Sequence, residues 1–323
     1  MVKRIQGRVA ESRRLLPFMA VYGIMVWLVN GLISPFYPLA SKGLTGGAWV
    51  QLGCLGVSTA LMVILNNSNA LIRIYSRMVS ASFIALCCLT CFQFNSVSGS
   101  IVGLCIIASY LCAFRSYQDK TATGWIFYAF LCLGMASLLF PQLFFFIPVF
   151  WMFMMFQLFS FSLRTFMASI IGLLTPYWFL MAYFLWQGDF NWITTHFQSL
   201  ADLPFPYDYH QLTVGQILSY AWIVILFVTG TIHFLHRYLA DKIKVRQFYG
   251  CFIWMSILCI VAIALQPQHY DCLMRLLIIN VVPLIGHFLA LTRTRITNIA
   301  FIVISVVTLL LTVFNLWMPS LTF

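Results

Sequence analysis

Apolar residues run through this chain in long unbroken blocks rather than in the alternating or one-sided patterns of a water-soluble fold. Eleven such blocks stand out: Leu15 to Ile33, Ala48 to Leu65, Met78 to Phe94, Ser100 to Phe114, Gly124 to Phe140, Phe144 to Phe159, Met167 to Trp186, Gly215 to Leu235, Phe248 to Leu265, Leu273 to Leu291 and Ile296 to Trp317. At about 1.5 Å rise per residue, blocks of this length suit a hydrocarbon layer of roughly 30 Å. Backbone groups in lipid must be satisfied within the segment or within a closed barrel, and continuous rather than alternating runs select the helix. The pattern predicts an all-α integral membrane protein with about eleven transmembrane helices.

Two junctions need a physical argument. A single helix from Gly124 to Phe159 would be about 54 Å long, and Pro141 removes a backbone donor near its middle, so a tight hairpin is expected at Phe140, Pro141 and Gln142. Arg164 divides the next apolar stretch, because a lone charge at mid-bilayer costs at least ~2.5 kcal/mol. The expected organisation is a basic segment over 1–14, one membrane domain over 15–317 with an external loop at about 187–214, and a short external tail over 318–323.

Composition supports this reading: 62% of the 323 residues are hydrophobic and 8% are charged. Placing the spans sends every one of the 18 Lys and Arg residues to one side except Lys42 and Arg275. Positive-inside bias then makes that side cytoplasmic, with the amino terminus inside and the carboxyl terminus outside, as expected in a bacterial inner membrane. The net charge of +11 is thereby absorbed by short orienting loops, and no basic stripe for nucleic acid remains. The amino-terminal apolar run exceeds the usual core of a cleaved signal and reads as a retained anchor. Cys87, Cys88 and Cys91 sit in an apolar helix and read as small packing residues, with no metal or cofactor motif.

No Asp or Glu falls within an assigned span, which lowers a carboxylate-driven transporter. Asn30, Gln51, Asn280 and His287 are the polar residues left at membrane depth, read as interhelical hydrogen-bonding groups, or as a central cavity in a transporter or flippase. His233 and His236 lie i, i+3 at the basic interface and read as packing residues, with a metal pair as the alternative. The aromatic stretch from Phe144 to Phe161 is apolar all round, as in lipid contact or a groove for a polyprenyl tail. The most informative cluster is His269, Tyr270, Asp271 and Arg275 at an outer helix end. There Asp271 and Arg275 are spaced i, i+4, which gives either a salt bridge or a guanidinium free to hold a lipid phosphate or diphosphate.

The segments GWIFYAFLCLGMASLLFPQLFFFIPVFWMF and LRTFMASIIGLLTPYWFLMAYFLW resemble the middle of GT-C glycosyltransferases, and RLLIINVVPLIGHFLAL resembles their late helix, in which an Arg precedes a Leu- and Pro-rich run. In size and helix order the whole chain resembles a family of bacterial multispan inner-membrane proteins. The GT-C resemblance implies an outward site for a polyprenyl phosphate or diphosphate sugar, with Arg275 as its phosphate-binding Arg beside His269 and Tyr270. The first external loop, SPFYPLASKGLTGG, lacks the carboxylate those enzymes place there. Transfer would then need a later carboxylate, with Asp208 first and Asp202 second as the catalytic candidates. Handling of the lipid-linked saccharide without catalysis, a noncatalytic subunit of an envelope complex with protein partners, and a transporter or flippase remain alternatives.

Overall fold

The computed structural model describes residues 5–32, 46–188, 191–198, 200, 212–292 and 294–317. Among these residues the chain is helical, and it divides into two compact units, Met1–Ser100 with Asp208–Phe323, and Ile101–Tyr207.

The first unit opens with α1 (Ile5–Ala10), α2 (Leu15–Leu32), α3 (Gly46–Asn69) and α4 (Met78–Leu89), followed by a 3-10 turn over Cys91–Asn95. Helix α5 (Val97–Arg115) starts in this unit and continues into the second. The second unit adds α6 (Thr123–Leu139), α7 (Ile147–Met152), α8 (Leu163–Gln187) and α9 (Asn191–Gln198). The chain then returns to the first unit with α10 (Val214–Arg237), α11 (Ile243–Leu265), α12 (Tyr270–Leu291) and α13 (Arg295–Trp317).

Seven of these helices are long and apolar enough to cross a membrane: α3, α5, α8, α10, α11, α12 and α13. The remaining expected spans correspond to shorter apolar helical segments starting at Leu15, Met78, Thr123 and Pro141. The multispan helical class is therefore plain, while the helices themselves supply seven full-length spans where the hydropathy blocks suggest eleven. Helix α4 shows why. The apolar run continues to Phe94, but the α-helix ends at Leu89 after 12 residues and the chain goes on as a 3-10 turn from Cys91. Twelve residues reach about 18 Å.

Both argued junctions are real breaks. Helix α6 stops at Leu139, and Pro141 begins a 3-10 turn, where its missing N–H is no loss. Phe130 then faces Phe150 and Trp151 at centroid separations of 6.4 Å in each case, the spacing of an antiparallel hairpin centred on Phe140. Arg164 lies in the first turn of α8. The Ser162 side chain accepts from the Thr165 N–H and Thr165 reaches back to the Ser162 N–H, a reciprocal cap that fixes where that helix starts.

The centre of the first unit is α12, almost wholly buried and packed against α4, α10 and α11. Two glycines allow the approach. A Cβ on Gly230 of α10 would stand 2.9 Å from the Leu284 carbonyl carbon, and one on Gly286 would stand 3.1 Å from the Val79 Cα of α4. In the second unit α6 and α8 pack by the same device: Gly134 lies against the Leu173 carbonyl and Gly172 against the Phe127 carbonyl. Small residues that let helix backbones meet are the usual source of close helix contact where lipid removes the hydrophobic drive.

Contacts within the first unit sort the loops by charge. Gln6 of α1 donates to the Leu289 carbonyl at 2.9 Å and to the Thr292 hydroxyl at 2.6 Å, and Arg73 donates to the Ala240 carbonyl at 3.0 Å. The basic loops thus share one end of the unit. At the other end Gln93 reaches the Asp271 carbonyl, Tyr270 reaches the Gln216 carbonyl, and Asn315 donates to the Leu89 carbonyl and the Ser219 hydroxyl.

Candidate functional site

Arg275 sits in the second turn of α12, at the end of the first unit away from the basic loops. Its Nη1 donates to the Ser100 hydroxyl at 3.0 Å, and its Nη2 donates to the carbonyls of Gln93 and Ser96. Local sequence builds this cradle. The chain turns in 3-10 geometry through Cys91–Asn95, which aims carbonyls inward, and Ser96 then caps α5 by accepting from the Gly99 N–H at 3.1 Å. Gly99 leaves room for this side chain: a Cβ there would lie 2.9 Å from Arg275 Nε.

The i, i+4 salt bridge is not formed. Among the described residues the ion pairs run from Asp241 to Arg73 and to His287, and Asp271 is not joined to Arg275. Asp271 is exposed, whereas Arg275 Nε is shielded from solvent and has no hydrogen-bond partner. A helix keeps i and i+4 on one face, but the guanidinium here turns toward the Gln93 and Ser96 carbonyls and the Ser100 hydroxyl instead. The result is a cation compensated by neutral oxygens. Its surroundings reinforce the positive potential, because the amino-terminal ends of α5 and α12 both lie at this point.

The other residues expected around Arg275 divide. Tyr270 is buried and committed, donating to the Gln216 carbonyl at 2.7 Å and packing on Phe92. His269 is half-buried, with its Nε2 at 3.3 Å from Gln268 Nε2. Asp202 and Asp208, together with Asp189 and most of the first external loop, lie outside the described residues.

A second polar cluster occupies the basic end of the same unit and was not legible as a site. Asp241, fully buried at its side chain, places Oδ1 at 2.9 Å from Arg73 Nε and Oδ2 at 3.0 Å from His287 Nε2. The His287 ring packs on His233, Phe234 and Tyr249. The Tyr249 hydroxyl is within hydrogen-bond distance of the Leu71 and Pro283 carbonyls. His233 therefore finds its neighbours on α12. Among the described residues no group of three or more metal-ligating side chains gathers. The cluster instead fastens the α10–α11 connection to α12.

In the second unit Ser137, Tyr177 and His196 form a chain of hydroxyl and imidazole contacts at 2.9 and 3.2 Å. Partial burial holds the His196 imidazole below its ordinary pKa, so it is the neutral form that meets the Tyr177 hydroxyl near neutral pH. Asn30, Asn280 and His287 are the residues a central transport cavity would use. Asn280 returns its amide to the Leu276 carbonyl at 2.7 Å, His287 is held by Asp241, and none of the three lines the large cavity of the first unit.

Comparisons with family profiles, curated proteins and solved structures found no match to this chain.

Proposed function

We propose that this multispan membrane protein captures the anionic headgroup of a lipid-linked saccharide at Arg275, in the manner the GT-C resemblance implies. The observation that carries the proposal is the guanidinium itself: it stands among carbonyl and hydroxyl oxygens, beside two helix amino termini, with no carboxylate in ion-pair contact among the described residues. Such a group favours an incoming phosphate, which Arg binds with geometric specificity. Helix amino termini add to the same preference.

On this reading the exposed end of α12 faces the outer leaflet of a bacterial inner membrane, as positive-inside bias expects. Asp208, then Asp202, are the carboxylates available to act as a general base if sugar transfer occurs. Binding without transfer uses the same Arg275 cradle and leaves those carboxylates idle.

The test is binding of a polyprenyl phosphate to the purified protein in nanodiscs, paired with glycan assembly in cells. Arg275→Ala should lower polyprenyl phosphate binding by about tenfold or more, with Arg275→Lys recovering part of it, as expected for a charge-assisted contact of roughly 1.5–3 kcal/mol. Asp208→Asn should leave binding intact and abolish glycan assembly if the protein is catalytic. Parent-like binding by a folded Arg275→Ala protein refutes the proposal.

A further inference from the structure

The first unit contains a cavity of about 600 Å³, a size typical of small-ligand sites, between α2, α4 and α13 and floored by α10 and α12. Its walls are nearly all apolar. Phe18, Met19, Ala85, Leu226 and Leu309 are representative. Phe18 and Leu309 are also exposed on the outside of the unit, so the opening faces the surroundings that lipid would fill.

The charged groups of the cavity lie at one end only, and Ser82, Ser305 and Thr308 are the polar residues along its shaft. At the basic end Arg8, Ser12 and Arg14 line the mouth. Both arginines are exposed, and neither makes an ion pair with a described residue. Gln6 fixes this arrangement: besides its two side-chain bonds to α12 and Thr292, its backbone N–H donates to Asn298 Oδ1 at 3.1 Å, which pins α1 across the start of α13. At the far end Tyr22 closes the space, its hydroxyl meeting Thr312 Oγ1 at 3.3 Å.

The depth matches a lipid tail. The lining positions on α4 run from Met78 to Leu86, and those on α13 run from Phe301 to Leu309. Eight helical steps correspond to about 12 Å, close to the half-thickness of a hydrocarbon core of roughly 30 Å. A mouth carrying two arginines at the interface and an apolar shaft one leaflet deep combine the two features by which proteins recognise anionic lipids.

We infer that this cavity is a binding site for an anionic glycerophospholipid of the leaflet at the basic end, with one acyl chain in the shaft and the phosphate between Arg8 and Arg14. The site is separate from the Arg275 cradle and does not depend on the reading given to it. A zwitterionic lipid offers the same chains but little net attraction to the mouth, so discrimination rests on the two arginines.

The experiment places the full chain in nanodiscs of equal phosphatidylglycerol and phosphatidylcholine, extracts it gently, and counts retained lipid by native mass spectrometry. The parent should retain phosphatidylglycerol over phosphatidylcholine by about tenfold, the scale expected for two basic groups near a membrane surface. Arg8→Gln with Arg14→Gln should erase that preference while chain retention persists. Ala85→Phe, which fills the shaft from α4, and Ser305→Phe, which enters from α13, should each reduce retention of both lipids; two independent walls guard against one variant failing to fold. Equal retention of the two lipids by the parent overturns the inference. So does an unchanged preference in the arginine double variant, or displacement of phosphatidylglycerol by inorganic phosphate alone.

Discussion

Removing the Asp241 carboxylate separates two contributions that the structure makes unequal. On one side stands His287, whose side chain is fully buried and whose Nε2 meets Asp241 Oδ2 at 3.0 Å. Its Nδ1 has no partner, so losing Asp241 strands both ring nitrogens. An unsatisfied buried polar group costs about 1–3 kcal/mol. On the other side stands Arg73, 41% exposed at its side chain, which turns to water when the carboxylate goes, so that arm is worth about 1 kcal/mol or less. Asp241→Ala should therefore destabilise the protein by about 1–4 kcal/mol, most of it from the His287 side. His287→Ala opens a ring-sized void against Tyr249 and Phe234 and should cost about 3 kcal/mol. The double variant should fall short of additivity by about 1–3 kcal/mol, since each change already removes the shared bond. Equilibrium unfolding in mixed micelles with increasing dodecyl sulfate, followed by tryptophan fluorescence, measures these differences. A folded Asp241→Ala protein as stable as the parent, or strict additivity with His287→Ala, refutes the reasoning.

Gly172→Ala places a methyl group against the Phe127 carbonyl and Gly134→Ala places one 2.6 Å from the Leu173 carbonyl, so each should destabilise the α6–α8 pair by about 1–3 kcal/mol in the same unfolding assay. Asp119 lies outside the spans and accepts from the Thr121 hydroxyl at 2.7 Å and the Thr121 N–H at 2.8 Å, bonds that hold its carboxyl below the ordinary aspartate pKa. A depressed folded pKa contributes stability above the unfolded aspartate value and loses it as pH falls through the folded one. Thr121→Val removes the larger of these bonds and should move the Asp119 midpoint up, read by carboxyl carbon NMR; an unmoved midpoint counts against the assignment.

Sequence reading captured what depends on chain-local physics. Pro141 cannot continue a helix and Arg164 cannot rest at mid-bilayer, and both positions are helix boundaries. It overestimated the length of α4, because hydropathy does not distinguish an α-helix from the 3-10 turn that carries the apolar run on over Cys91–Asn95. Asp241 has no mark in the sequence, since nothing local connects it with a histidine 46 residues later. At the Arg275 end, the sequence singles out this cation by its isolation among the outer residues. Its partners have no such mark: two are carbonyls 179 and 182 residues earlier, which carry no sequence signature, and the third is a serine hydroxyl 175 residues earlier.

The discontinuity of the first unit bears on how the protein is made. Residues Ile101–Tyr207 form a contiguous unit that is complete as soon as it leaves the ribosome, whereas Met1–Ser100 meets its partner only after Asp208–Phe323 has followed. Helix α4, about 18 Å long, cannot reach across the hydrocarbon by itself and waits for α12, which covers it last but one in order of synthesis. Until then the carbonyls of Gln93 and Ser96 lack the guanidinium that later binds them. The arrival of Arg275 is thus a late latch in biogenesis, and truncation before α12 leaves the amino-terminal third of the protein without its core.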